Sequence, residues 1–375
     1  MSKYRITILD SFRAIAILSV MLFHFFSRWT PPLYPTSLYP YKDHYNYFSY
    51  GNLGVQFFFI ISGFVIFFTL ENTNSIVDFG RNRIVRLLPS MVVASIVTFV
   101  VLSLFDNRVL FPQSHKAENF IASTSFISPV LINKLFGSNL DYLNGSYWSL
   151  WPEIQFYFFV SLLYYFNKSK FVRNFILISL TLIIANHLFY RLQYTNISGF
   201  YIPIIIQVYY NSLFGQIFTL INYLPFFSIG VLFYCLFKSR QHGQQVSAFI
   251  TLSLIFLMAF SIYVEGKLGI RLVYISMFLL FFLFTYFPEK LKFLENTTIT
   301  QIGVSSYFLY LIHENIGVFL INKFGSAFLP YGFVFSTGLI CLFVVVSIYY
   351  SRYVERPLGR WLKNLSIRSA HRPLS

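Results

Sequence analysis

Long apolar runs separated by short polar connections dominate the chain. Ten of them, at 6–27, 52–71, 87–105, 148–167, 172–190, 212–237, 247–264, 269–287, 302–322 and 332–351, approach the ~20 residues that a helix needs to cross a bilayer core. The pattern predicts an all-α fold, a polytopic transmembrane bundle of about ten helices. If the N-terminus is cytoplasmic, the connections on its side hold twice as many Lys and Arg as those opposite, which agrees with the positive-inside bias; the even helix number then places both termini in the cytoplasm. A transmembrane domain is expected over 1–352 and a basic cytoplasmic tail over 353–375, lying on anionic lipid. Glu355-Arg356-Pro357 is expected to end the last span with an ion pair. The basic start followed by an apolar run resembles a signal peptide, but the run is long and has no small-residue cleavage site, so a retained helix is expected.

Composition supports this reading. Of 375 residues, 56% are hydrophobic, 21% aromatic and only 11% charged, too few charges to cover a soluble domain. The net charge of +15 is therefore a topology signal and points to membrane lipids, not to nucleic acid. The two cysteines, Cys235 and Cys341, lie in apolar runs and suggest buried thiols. Metal ligands at useful spacing, a glycine-rich nucleotide loop and a Gly-x-Ser-x-Gly elbow are all missing from the sequence, so no metal is expected.

Against this apolar background a few ionisable groups stand out, because each costs several kcal/mol at membrane depth and usually faces a bundle interior. The run Leu9–Phe26 holds Asp10, Arg13 and His24. Eleven residues separate Arg13 from His24, so both point within about 20° of one direction while lying roughly 16 Å apart along the axis. Asp10 shares that face and can pair with Arg13. In the second span Gln56 needs a polar partner, whereas Gly54, Ser62 and Gly63 suit close helix packing. Arg83 and Arg86 open the third span as a positive-inside stop or as a grip on phosphates.

Glu153 follows Pro152 at the start of the fourth span, where a carboxylate complements the helix dipole, and Trp148, Gln155 and Tyr157 flank it. Because His24 ends the first helix on the outer side, Glu153 and His24 are expected at comparable depth, able to meet. Tyr310 and His313 place more polar groups inside the ninth span; the imidazole is either an interhelical hydrogen bonder or part of a site. The outer connections 28–51, 106–147 and 191–211 are long and aromatic, which suits a bilayer interface and also sugar rings.

Taken in order, these residues resemble the family 3 membrane acyltransferases, bacterial inner-membrane enzymes that O-acylate surface glycans. The resemblance rests on Leu9-Asp10-x-x-Arg13 with His24, Gly54-Val55-x-Phe57-Phe58-x-x-x-Ser62-Gly63-Phe64, and Arg83-x-x-Arg86-x-x-Pro89. It continues through Trp148-Ser149-Leu150 with Glu153-x-Gln155-Phe156-Tyr157, Ser306-Tyr307-x-Leu309-Tyr310-Leu311-x-His313, and Glu355-x-Pro357. Pro152 stands where the family usually has an aliphatic residue, and Gln56 where an acidic one is common. The likeness is to the stand-alone form, without an appended hydrolase-like domain.

The resemblance implies acetyl-CoA as donor and a lipid-linked or surface glycan as acceptor. O-antigen is favoured over capsule, exopolysaccharide or peptidoglycan. His24 would be general base or acyl acceptor, Glu153 its orienting partner, and Arg13, Arg83 and Arg86 the holders of donor phosphates. A transporter of glycan or acyl groups is the competing class, since it too would keep polar groups at depth.

Overall fold

A computed structural model describes residues 6–30, 36–41, 46–107, 109–194 and 202–370. The described residues are helical with no strand. Ten principal helices correspond to the ten apolar runs: α1 (Thr7–Phe26), α2 (Gly54–Glu71), α3 (Ile76–Phe105), α4 (Leu150–Phe166), α5 (Phe171–Tyr194), α6 (Leu220–Gln241), α7 (Ala248–Val264), α8 (Leu268–Tyr286), α9 (Thr297–Phe324) and α10 (Gly332–Tyr350). Eight are long and apolar enough to cross a membrane, while α4 and α7 are 17 residues each, the lower limit for a span.

Three boundaries depart from the sequence reading for local reasons. The third helix starts at Ile76 rather than 87, because the Ser75 side chain accepts from the Asp78 amide as an N-cap and Asp78 pairs with Arg81 at 2.7 Å. Arg83 and Arg86 therefore lie inside α3. The run expected from 212 becomes helix only at Leu220, after a π-helical turn at Asn211–Ile217. Pro357 starts a helix instead of ending one: α11 (Arg356–Ala370) follows a π-helical turn at Ser351–Glu355, and Glu355 makes no ion pair with Arg356. Pro357 follows closely on the π-helical turn, which interrupts the regular i→i−4 hydrogen bonding and accommodates the missing amide. Of the basic residues used for orientation, Lys3, Arg5, Lys42, Arg108 and Arg372 lie outside the described residues, as do Pro31, Pro32 and Pro35 of the first outer connection.

Helix α1 runs through the centre, against α9 on one side and α2 on the other. In lipid such packing relies on close backbone approach, not on a hydrophobic drive. A Cβ on Gly303 would lie 1.6 Å from the Asp10 carbonyl oxygen, and one on Gly230 of α6 would lie 2.0 Å from the Ile60 carbonyl oxygen. Ser11 closes one end of α1 by donating to the Leu294 carbonyl (2.6 Å). At the other end Tyr39 and Tyr41 donate to the carbonyls of His24 and Phe25. The ionisable face of α1 is thus clamped at both ends.

Gly303→Ala should lower thermal stability in detergent by about 3 kcal/mol or more, since overpacking of 1–3 kcal/mol is added to a forced backbone separation. Gly338→Ala, with no atom within 4 Å of the added carbon, should leave stability level or raise it by up to about 1 kcal/mol. Equal melting temperatures for the two variants would contradict the packing described.

Candidate active site

Two polar centres lie along α1. At its N-terminal end Arg13 donates to Asp10 at 3.0 Å, and Asp10 is only 5% exposed. Arg13 lines a cleft of about 90 Å³ together with Arg83 and Arg86 of α3, Ser62 of α2, and Glu153 and Tyr157 of α4.

The carboxylate of Glu153 accepts from the Ser62 hydroxyl at 2.8 Å and from the Tyr157 phenol. Arg83 stacks its guanidinium near the rings of Phe79 and Tyr157 and donates one bond to Thr69 at 3.3 Å. Its Nε and Nη1 are buried with no hydrogen-bond partner. Three guanidinium groups gather at the cleft, with Asp10 beside Arg13, Glu153 in the lining and Glu355 near Arg86; the unmet donors of Arg83 are the chemistry of an anion site.

At the other end His24, 8% exposed, sits beside Glu314 of α9 with Nδ1 at 3.3 Å from Oε1. The two face each other without hydrogen-bond alignment. Arg28 approaches the same carboxylate at 3.5 Å. His313 stands edge-on to His24, ring centroids 5.0 Å apart. Its Nδ1 lies 2.7 Å from the Tyr310 carbonyl. A carbonyl only accepts, so that nitrogen carries the proton and Nε2, buried and unpartnered, keeps its lone pair.

The segment before α4 covers this centre. Asn144 donates to the Leu311 carbonyl (3.1 Å), the Gly145 amide to Asn315 (3.3 Å) and Ser146 to the Tyr310 carbonyl (3.2 Å). The two centres are separated by Tyr310, whose hydroxyl bonds Ser149 at 2.7 Å and the Ser146 carbonyl at 2.8 Å. Both Tyr310 and Ser149 line the cleft, so the cleft ends one ring away from the histidines.

The expected meeting of Glu153 with His24 does not occur. The chain is already helical before α4, as a 3-10 turn over Gly145–Ser149. Gly145 lies against Glu314, and the two helical stretches then carry the chain roughly 14 Å further along the axis before Glu153 is reached. Glu153 accordingly joins the arginine centre, and Glu314 is the carboxylate at His24. Glu314 was detectable: α9 contains no other acidic residue, and the cost of a charge at depth applies to it as it does to Asp10.

Other residues singled out in the sequence have separate places. Gln155 accepts from the Leu220 amide (2.8 Å) and donates to the Ile217 carbonyl (2.5 Å), fixing the start of α6. Gln56 lines a different cavity with Asn186, His187 and Glu265. Gly63 packs against the Phe227 carbonyl, as a small residue at a helix contact should. Trp148 faces outward, 40% exposed. Among the described residues no group of three or more His, Cys, Asp or Glu is placed to hold a metal ion.

The fold and site define a multi-pass membrane protein with an anion-attracting cleft at one end of a central helix and an imidazole–carboxylate centre at the other. Residues 6–352 match the acyltransferase 3 family, described as an acyltransferase domain, and the chain belongs to that family: it is a membrane acyltransferase. No curated protein and no solved structure matches it.

A buried guanidinium with two unmet nitrogens is a net cost unless an anion joins it. Arg83→Met should therefore melt at the same temperature as the parent in ligand-free detergent, or about 2–4 °C higher. A loss of more than about 3 kcal/mol would show that Arg83 is held for structure alone.

Proposed function

We propose that this acyltransferase moves an acetyl group from acetyl-CoA, bound at the Arg13 end, to a hydroxyl of a surface-polysaccharide sugar at the His24 end. The single observation that carries this reading is the pair of polar centres on one face of α1, an arginine-lined cleft near Arg13 and the His24–Glu314 pair, separated by the Tyr310 ring. Unmet arginine donors at one centre suit the phosphates of a coenzyme A thioester, and an imidazole backed by a carboxylate at the other suits activation of a hydroxyl. Arg13, Arg83 and Arg86 hold the phosphates of the donor. The lysine and arginine bias of the connections supports an orientation with the arginine centre on the cytoplasmic side, in what this reading takes to be a bacterial inner membrane. Lipopolysaccharide O-antigen on its lipid carrier is the favoured acceptor, for which the family's common O-acetylation of polysaccharides is the support.

Alignment of Nδ1 on Glu314, 3.3 Å away, in the substrate complex would place the His24 proton on that nitrogen and leave Nε2 as the base. The sugar hydroxyl gives its proton to Nε2 while its oxygen attacks the thioester carbonyl carbon. The carbon–sulfur bond breaks, and the departing thiolate takes the proton back from the imidazolium. The products are the O-acetyl ester and the free thiol of coenzyme A. Glu314 stabilises the transient imidazolium because opposite charges interact strongly where water is excluded.

In purified protein, His24→Ala should lower acetyl transfer by about 10²-fold or more with the acetyl-CoA Kd within about twofold of the parent. Arg13→Ala should weaken acetyl-CoA by about 10- to 100-fold, the worth of one charge-assisted contact. Unchanged acetylation after His24→Ala would sink the base assignment, and unchanged donor affinity after Arg13→Ala would sink the anchoring role.

A further inference from the structure

Outside the cleft, the outer segments build a second concavity. A groove of about 540 Å³ opens between the short helix Pro129–Phe136 and the π-helical turn Asn211–Ile217. Its surface presents Trp148, Trp151, Tyr142 and Tyr223 beside Asp141 and Gln216. The aromatic rings are fixed in place: Trp151 donates its indole N–H to the Ile217 carbonyl at 2.7 Å, and Trp148 leans on Tyr223 with centroids 5.6 Å apart. The Lys134 ammonium ties the two walls by reaching Ser212 and Gln216. Thr219, also in the lining, has a buried hydroxyl with no partner.

Flat aromatic faces with a carboxylate, an amide and an unmet hydroxyl beside them match a sugar ring, whose C–H faces stack while its hydroxyls bond in plane. An acyl chain would leave the Thr219 hydroxyl unmet and would lay hydrocarbon against the polar groups of Asp141 and Gln216. A phosphate would find only Lys134, already engaged. The groove also adjoins the reacting centre. Trp148 precedes Ser149, which bonds Tyr310, and Gly145 at Glu314 lies one 3-10 turn, roughly 6 Å, from Trp148.

We propose that this groove binds the acceptor glycan beside the residue that is acylated, holding a neighbouring sugar on Trp148 so that the enzyme reads an oligosaccharide and not a single sugar. This rests on the acetyl-transfer reading above and adds to it the element of acceptor specificity.

The test uses the full chain in detergent. Its ligands are oligosaccharides released from the host cell's own surface polysaccharide and stripped of O-acyl groups by base, with the constituent monosaccharides alongside. Trp148→Ala should raise the oligosaccharide KM at least 10-fold and weaken binding in saturation-transfer NMR to match, with acetyl-CoA affinity unmoved. Trp148→Phe should restore most of the loss, and Gln216→Ala should give a smaller rise. Use of monosaccharides should not respond to any of the three.

An oligosaccharide KM unchanged in both Trp148→Ala and Gln216→Ala, or no oligosaccharide binding by the parent, overturns the groove even if acetyl transfer is observed. Oligosaccharide binding that falls with Trp148→Ala, in a protein that transfers no acetyl group, supports the groove and overturns the acetyl-transfer reading. If Trp148→Ala lowers the melting temperature, Trp148→Phe and Gln216→Ala decide the outcome.

Discussion

A charge inside a membrane has to find its counter-charge on a neighbouring helix, because lipid offers none. In this protein that requirement is met twice along one face of α1. Arg13 pairs with Asp10 and shares a cleft with Glu153, while His24 faces Glu314. These contacts recruit α2, α3, α4 and α9 around α1, so the electrostatics of the site and the arrangement of the bundle are one problem. The close approach at Gly303 serves the same end. It brings α9 against Asp10 at one end of α1, and the same helix then carries Glu314 and His313 past His24 at the other.

The separation between the two centres gives the site its character. Arg13, Arg83 and Arg86 gather at the cleft near one end of α1, while at the imidazole end the Glu314 carboxylate is shared between His24 and Arg28. Between them stands Tyr310, held by Ser149 and the Ser146 carbonyl. A group passing from cleft to histidine must pass this ring. The outer segment 143–149 is therefore structural and functional at once: it roofs the histidine centre, supplies the partners that hold Tyr310, and carries Trp148, which lines the outer groove.

Much of this was legible in the sequence. Hydrophobic runs gave the helices, since a span's length is dictated by the bilayer, and the eleven-residue step gave the shared face of Arg13 and His24, since helical geometry is local. The partner of His24 was not legible in the same way. Whether Glu153 or Glu314 reaches it depends on how the chain enters α4, and the 3-10 turn at Gly145–Ser149 carries no apolar periodicity that would reveal it. Glu314 directly follows His313, and the cost of an ionisable group at depth applies to both. The outer groove was hidden for a different reason. Its walls come from segments some eighty residues apart, Pro129–Phe136 and Asn211–Ile217, and aromatic residues in such connections suit a bilayer interface as well as a sugar.

The central claim is that donor and acceptor meet from opposite ends of α1, and it is tested most directly by sidedness. The protein would be reconstituted into sealed vesicles in one orientation, with acetyl-CoA supplied on one face only and de-O-acylated host polysaccharide on the other. The account predicts acetylated polysaccharide when acetyl-CoA is on the face of the Arg13 mouth and the glycan is on the face of His24, and none when the two are exchanged. Transfer that requires both reactants on the same face would contradict it.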